Sequence, residues 1–434
     1  MSSKHAQLRV NQERLWLSLM AMAEVGATDK GGCNRQALTL EDQSGRDLFI
    51  AWCRAAGCEI RIDQIGNIFA RRVGINADLA PVITGSHLDT QATGGKFDGV
   101  YGVLAGLEVI RTLNDNNVST ERSIEVVVWT NEEGARFSPA MLGSGVWAGV
   151  FDLQYAYQRM DHDGVKLEDA LQNIDYRGET AAVHTPVHAA FEVHIEQGPI
   201  LEAEGKTIGV LSGIQGMYWY DLILTGEPCH AGPTPMDMRK DPFMGAADII
   251  QRCYETVETF GPWARVTFGD ISVTPAARNT VPEQLVLAID IRHPDGATLS
   301  RMEQSLKAII DEAVGRHQLT AQLVDEWRLP PTEFAPRCIE AVRGAVEHLG
   351  YSAKEMVSGA GHDSGYLAKV APTSMIFVPC ERGISHNEAE NAKSSDLGAG
   401  ANVLLHSMLS VMLPESAEYT VGVVGEPVAT THAC

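Results

Sequence analysis

Between residues 82 and 378 the chain repeats one arrangement: a short apolar, β-branched run that ends in a polar or ionisable cluster. Residues 81–84 (PVIT) lead to His87, residues 124–129 (IEVVVW) to Glu132 and Glu133, and residues 190–193 (AFEV) to His194. Residues 374–378 (SMIFV) precede the loop that carries His386. Helical stretches such as residues 100–113 separate them. Short apolar runs of this kind predict buried strands of an α/β sheet. In such sheets ligands bind beyond the carboxyl ends of the strands, where these clusters fall.

Between residues 213 and 330 the pattern changes. Strands are expected at 217–224, 265–273, 285–293 and 319–326, with helices at 241–260 and 299–316. The order β-α-β-β-α-β is that of a ferredoxin-like sandwich. The predicted architecture is therefore an α/β catalytic domain with a mixed central sheet flanked by helices (residues 1–212 and 331–434), interrupted by an α+β insert at 213–330. The tail after Pro414 has little pattern and is expected to be partly extended.

The length of 434 residues suggests more than one domain, and the net charge of −22 disfavours nucleic acid and anionic membranes as partners. Eight cysteines without a C-x-x-C pair read as reduced thiols of a cytoplasmic protein. The apolar run at residues 15–23 fits a helix better than a signal peptide, and no run approaches the roughly 20 residues that span a bilayer.

The clusters offer a specific chemistry. His87, Asp98, the Glu132–Glu133 pair, His194 and His386 are metal-type ligands, and two ions sharing one carboxylate need about this inventory plus a spare acid. Asp98, flanked by Gly94, Gly95 and Gly99, reads as a helix N-cap and, compatibly, as a carboxylate bridging two cations about 3.5–4 Å apart, the reading its companion motifs favour. Adjacent buried carboxylates require a compensating cation, so Glu133 is assigned as a ligand and Glu132 as general base; a solvated pair is the plainer alternative. Asp89 lies two residues from His87 and is positioned to accept the other ring N–H. Gln197 offers an amide suited to a ureido or carboxylate group. The set points to a dinuclear metallohydrolase.

Residues 84–100, 129–149, 192–198, 226–235 and 381–390 resemble the amidohydrolase branch of the M20 metallopeptidase-like proteins, through H-x-D, K-F-D-G, N-E-E-G-x-R-F, H-I-E-Q-G-P and S-H-N-E. That branch holds N-carbamoyl-L-amino-acid hydrolases, allantoate amidohydrolases and β-ureidopropionases. The resemblance implies two divalent ions (zinc expected, with manganese, cobalt or nickel compatible) on His87, Asp98, Glu133, His194 and His386. It further implies oxyanion stabilisation by His230, a substrate contact from Asn279, and a substrate-carboxylate clamp by Arg292. His230 and Asn279 would reach the partner's site, so a homodimer with a lid and dimerisation role for the insert is implied. The expected reaction is cleavage of a carbamoyl C–N bond, giving amino acid, ammonia and carbon dioxide. The wording around Glu132 favours N-carbamoyl-β-alanine as the small carboxylate substrate; N-carbamoyl-L-amino acids and allantoate are the alternatives. A binding protein without turnover is the reading from another class, and Glu132 beside a full ligand set argues against it.

Overall fold

A computed structural model describes residues 5–412, so the expectation for the tail after Pro414 lies outside the described residues. Four strands form the centre of a nine-stranded mixed sheet: Ile124–Trp129, Val82–His87, Ala189–Ile195 and Thr373–Val378, adjacent in that order and mutually parallel. Every residue in these four is buried, because helices and loops cover both faces. That double burial is why they read as continuous apolar runs, each buried Val or Ile contributing about 1.5–3 kcal/mol. Glu59–Ile62 and Ile68–Arg72 extend one edge, and Ile208–Ile214, Thr332–Glu333 and Ala353–Ser358 the other.

On one face, helices Gln12–Ala23, Val100–Asp115, Pro336–Leu349 and Ser394–Met412 pack into a single core with Leu15, Leu19, Val103, Leu107, Val342 and Leu404. The Arg14 guanidinium joins the first of these helices to the second through the buried Glu108, at 2.7 Å. Residues 15–23 are therefore a packed helix. On the other face Trp129, Trp147, Met375 and Phe377 meet Met217, Trp327 and Leu329, which belong to the insert.

The insert forms its own four-stranded antiparallel sheet in the order Thr320–Leu329, Gly216–Thr225, Gln284–His293, Arg265–Thr274. This is the topology expected of the β-α-β-β-α-β order. Helices Pro242–Val257 and Gly296–His317 cover one face only, so the strand Gln284–His293 alternates strictly between buried and half-buried positions. The last strand, Arg265–Thr274, is a largely exposed edge. Among the described residues no helix is long and apolar enough to cross a membrane, and the seven cysteines are free.

Candidate metal centre

Because the central strands run parallel, their carboxyl ends lie along one edge of the sheet. His87 is the last residue of its strand and His194 the penultimate residue of the next, while Glu132 and His386 sit in the loops that follow two others. Asp98 occupies the loop before Val100–Asp115. The N-cap expected of Asp98 is not what forms: the helix N-cap is Gly99, with φ 67°, and the helix takes no side-chain cap. Glycine is required there for two reasons. Its backbone is left-handed, and a Cβ would overlap the His87 ring. Gly95 is constrained by space alone, since a Cβ would enter the Glu390 carboxylate.

The Asp98 carboxylate is shared between two groups. Its Oδ1 lies 3.2 Å from His194 Nε2 and 3.7 Å from His87 Nε2. Its Oδ2 lies 3.3 Å from His386 Nε2, which is also 3.1 Å from Glu133 Oε2. His87–Asp98–His194 and Asp98–Glu133–His386 thus form two ligand clusters that meet at Asp98. Glu132 stands beside the first, 3.3 Å from His87 Nε2. Three of the residues that build this edge hold left-handed backbones: Asn131, Gln197 and His386, at φ 56°, 58° and 53°. Such non-glycine conformations cost about 1–3 kcal/mol each and persist where surrounding structure imposes them. For Asn131, side-chain donation to Phe137 O at 2.8 Å supplies part of that restraint.

The supporting contacts differ from expectation at Asp89. The His87 Nδ1 bonds the main-chain carbonyl of Asp89 at 2.8 Å, not its carboxylate. The Asp89 carboxylate instead accepts the backbone N–H groups of Glu132 and Glu133, at 3.3 and 3.2 Å. The strand ends at His87, so the face-sharing alternation of a strand no longer applies two residues on. Asp89 therefore orients the two glutamates, and His87 is oriented by the backbone. His194 Nδ1 likewise bonds its neighbour's carbonyl, Ile195 O, at 2.9 Å. Gln197 donates to Asp98 Oδ2 at 2.9 Å, while its own Oε1 is buried without a partner.

Electrostatically, the site is a buried excess of carboxylate. Burial, and then the charges of Asp363, Glu133, Asp89 and Asp98, push Glu132 well above the ordinary carboxylate range. Burial would raise Asp98 too, but hydrogen bonds from His194 and His386 outweigh it and hold this group well below that range. An excess of buried acids with converging imidazole nitrogens is what bound cations would compensate, so the residues fit divalent metal.

Sequence reasoning missed four buried groups. Glu390 accepts the Phe97 and Asp98 N–H groups at 2.9 and 3.1 Å and the Ser385 hydroxyl at 2.9 Å. Burial and the Asp98 charge push it up to about 7. His362 packs edge-on against His194, with ring centroids 4.6 Å apart, and burial keeps it well below the usual imidazole range. Glu192 accepts the Ser86 and Ser364 hydroxyls, both at 2.7 Å, and Asp363 accepts that of Ser144. The second carboxyl two residues after Glu388 was a readable signal for Glu390, as were the adjacent His362 and Asp363 and the spacing of Glu192 two residues before His194.

The residues expected on the insert are not brought to the cluster. His230 pairs with Thr280 in a short two-stranded ribbon, so Asn279 lies beside it; both are exposed, and no hydrogen bond or ion pair joins them to the five candidate ligands among the described residues. Arg292 lies on Gln284–His293 and is bound by Asp290 and by the Gly359 carbonyl.

The model of peptidase family M20/M25/M40 matches residues 83–410. An N-carbamoyl-L-amino-acid amidohydrolase of Rhizobium meliloti is 48% identical over 401 residues, covering 92% of this chain and 96% of that protein. An allantoate amidohydrolase of Bacillus subtilis is 33% identical, covering 88% and 93%. Among solved structures, an amidase of the hydantoinase/carbamoylase family from Burkholderia vietnamiensis superposes with a TM-score of 0.89 at 50% identity, covering 94% and 98%. With a family model spanning most of its length and amidohydrolases among its relatives, the chain belongs to peptidase family M20/M25/M40, on the branch of the hydantoinase/carbamoylase amidases, and is a hydrolase of carbon–nitrogen bonds.

Proposed function

We propose that the protein hydrolyses the carbamoyl C–N bond of N-carbamoyl-L-amino acids. The observation that carries the reading is the Asp98 carboxylate shared by two ligand clusters with an unshared acid, Glu132, alongside. The substrate follows the relative named for N-carbamoyl-L-amino acids, at 48% identity over nearly the full length. This moves the substrate away from N-carbamoyl-β-alanine, which the wording around Glu132 favours. Allantoate is the second reading, supported by the Bacillus subtilis relative.

His87, His194 and Asp98 would hold one cation, and Asp98, Glu133 and His386 a second; zinc suits these ligands, as do manganese, cobalt and nickel. Such ions supply acidification of a water molecule and polarisation of the scissile carbonyl. Glu132 takes a proton from the attacking water and returns it to the leaving nitrogen. Asp89 fixes the Glu132 backbone for that task, and Gln197 holds Asp98 and presents its free carbonyl to the site. Arg292 receives the substrate carboxylate. Residues 213–330 form a lid and dimerisation domain, with His230 and Asn279 serving a partner's site. Their exposure away from the local cluster supports this, as do the exposed Arg265–Thr274 edge and the exposed Tyr254, Trp263 and Ile271.

Ammonia release from metal-loaded protein, measured in parallel on N-carbamoyl-L-amino acids, N-carbamoyl-β-alanine and allantoate, tests the assignment. A kcat/KM at least tenfold higher on an N-carbamoyl-L-amino acid, about 1.4 kcal/mol of transition-state discrimination, is expected. A preference of that size for either other substrate would reassign it.

A further inference from the structure

We propose that Asp290 is the positioning residue that presents Arg292 to the substrate carboxylate, an inference resting on the reading of Arg292 as the carboxylate clamp. The two side chains lie two apart on Gln284–His293 and so share a face, the one left uncovered by the insert's helices. Arg292 Nε lies 3.1 and 2.9 Å from the two Asp290 oxygens, and Nη2 lies 2.6 Å from Oδ2. Nη1 donates to the Gly359 carbonyl at 3.0 Å. A guanidinium has five N–H donors. Asp290 takes the Nε–H and one on Nη2, and Gly359 takes one on Nη1. One N–H on each terminal nitrogen remains available to an incoming carboxylate.

The anchors hold Arg292 from both sides of the molecule. The Gly359 carbonyl also accepts Gln215 Nε2, at 2.6 Å, and Gln215 is the single residue between strand Ile208–Ile214 of the large sheet and strand Gly216–Thr225 of the insert. Three residues beyond Gly359 is His362, packed on His194. Asp290 also lines a cleft of about 390 Å³ with Trp219, Glu326 and Ser138, the last in the segment that follows Glu133. The Asp290–Arg292 pair is partly exposed, with side-chain exposures of 21% and 27%, and such pairs contribute little stability. Orientation of an open fork is what the pair supplies. A fixed fork loses less freedom when it binds a planar anion.

The opposite behaviour is also physical: an acid beside the guanidinium could compete with the substrate, and its removal would then tighten binding. Calorimetric titration separates the two. In zinc-loaded Glu132→Gln protein, chosen because its turnover should be slowed, an N-carbamoyl-L-amino acid and its α-carboxamide are compared with and without Asp290→Ala. The expected result is a roughly tenfold weaker Kd for the carboxylate, no change for the carboxamide, and partial rescue by Asp290→Asn, which keeps one acceptor. Steady-state assays of Asp290→Ala in the otherwise native enzyme should raise KM for the carboxylate with kcat within about twofold. Unchanged or tighter carboxylate binding overturns the proposal, as does equal weakening of both ligands. Arg292→Ala distinguishes the underlying reading: if it too leaves the carboxylate preference intact, the clamp itself is wrong, whereas loss in Arg292→Ala without loss in Asp290→Ala rejects only the role of Asp290.

Discussion

The carboxyl edge of the large sheet and the open face of the insert are built differently. At the sheet edge His87, Asp98, Glu132 and His194 are buried, each held by backbone or buried side-chain bonds within a few residues or across neighbouring strands, while His386 at the rim is exposed. On the insert, His230 and Asn279 are exposed and Arg292 is part-exposed, restrained through one strand neighbour and one carbonyl. Groups that hold and move charge at a fixed point need rigid placement, since small displacements weaken catalysis. Groups that meet the substrate must admit and release it, which suits an element that moves.

Substitutions should therefore separate the two regions. Asp98→Ala removes the ligand common to both clusters, so both cations and all measurable turnover should be lost; metal content by mass spectrometry checks the first and ammonia release the second. Glu132→Gln should retain metal yet lower kcat by about 10²–10⁴-fold, the range for a general acid–base group. If metal is lost with it, Glu132 is a ligand and the division of roles with Glu133 is wrong. Glu390→Gln weakens an anchor of the Asp98 loop and should reduce metal affinity by about 10–100-fold, as for other residues that orient ligands. Arg292→Ala should act on the insert alone, raising KM for carboxylate substrates by about tenfold or more with metal affinity unchanged.

The smallest effect expected is on pH. In metal-free protein, hydrogen bonds donated to Asp98 and then to Glu133 raise His386 to about 11. Burial alone would lower His194, but Asp98 outweighs it and raises this group to about 9. Raised imidazoles hold their protons at pH 7, and metal requires them neutral, so loading should release protons and strengthen as pH climbs toward 9. Calorimetry in two buffers of different ionisation enthalpy gives the proton count; none released would mean that these histidines are already neutral.

Much of the sheet edge was legible in the chain. Strands buried on both faces leave unbroken β-branched runs, and a parallel sheet gathers their ends, so the convergence of the candidate ligands followed from position. Asp89 was read as a histidine partner because alternation was carried past the strand end, where it no longer held. Glu390, His362 and Asp363 could be assigned only once tertiary folding placed them around Asp98 and Glu132, since a single buried acid or imidazole leaves no periodic mark. The insert's alternating strands were equally clear, yet the meaning of Asp290 required knowing which guanidinium edge it occupies.

Titrating zinc into chelator-stripped protein while recording ammonia release from an N-carbamoyl-L-amino acid tests the shared-carboxylate site most directly. Turnover is predicted to reach its plateau at two equivalents per chain and to stay absent in Asp98→Ala. A plateau at one equivalent, or full activity in the stripped protein, would contradict it.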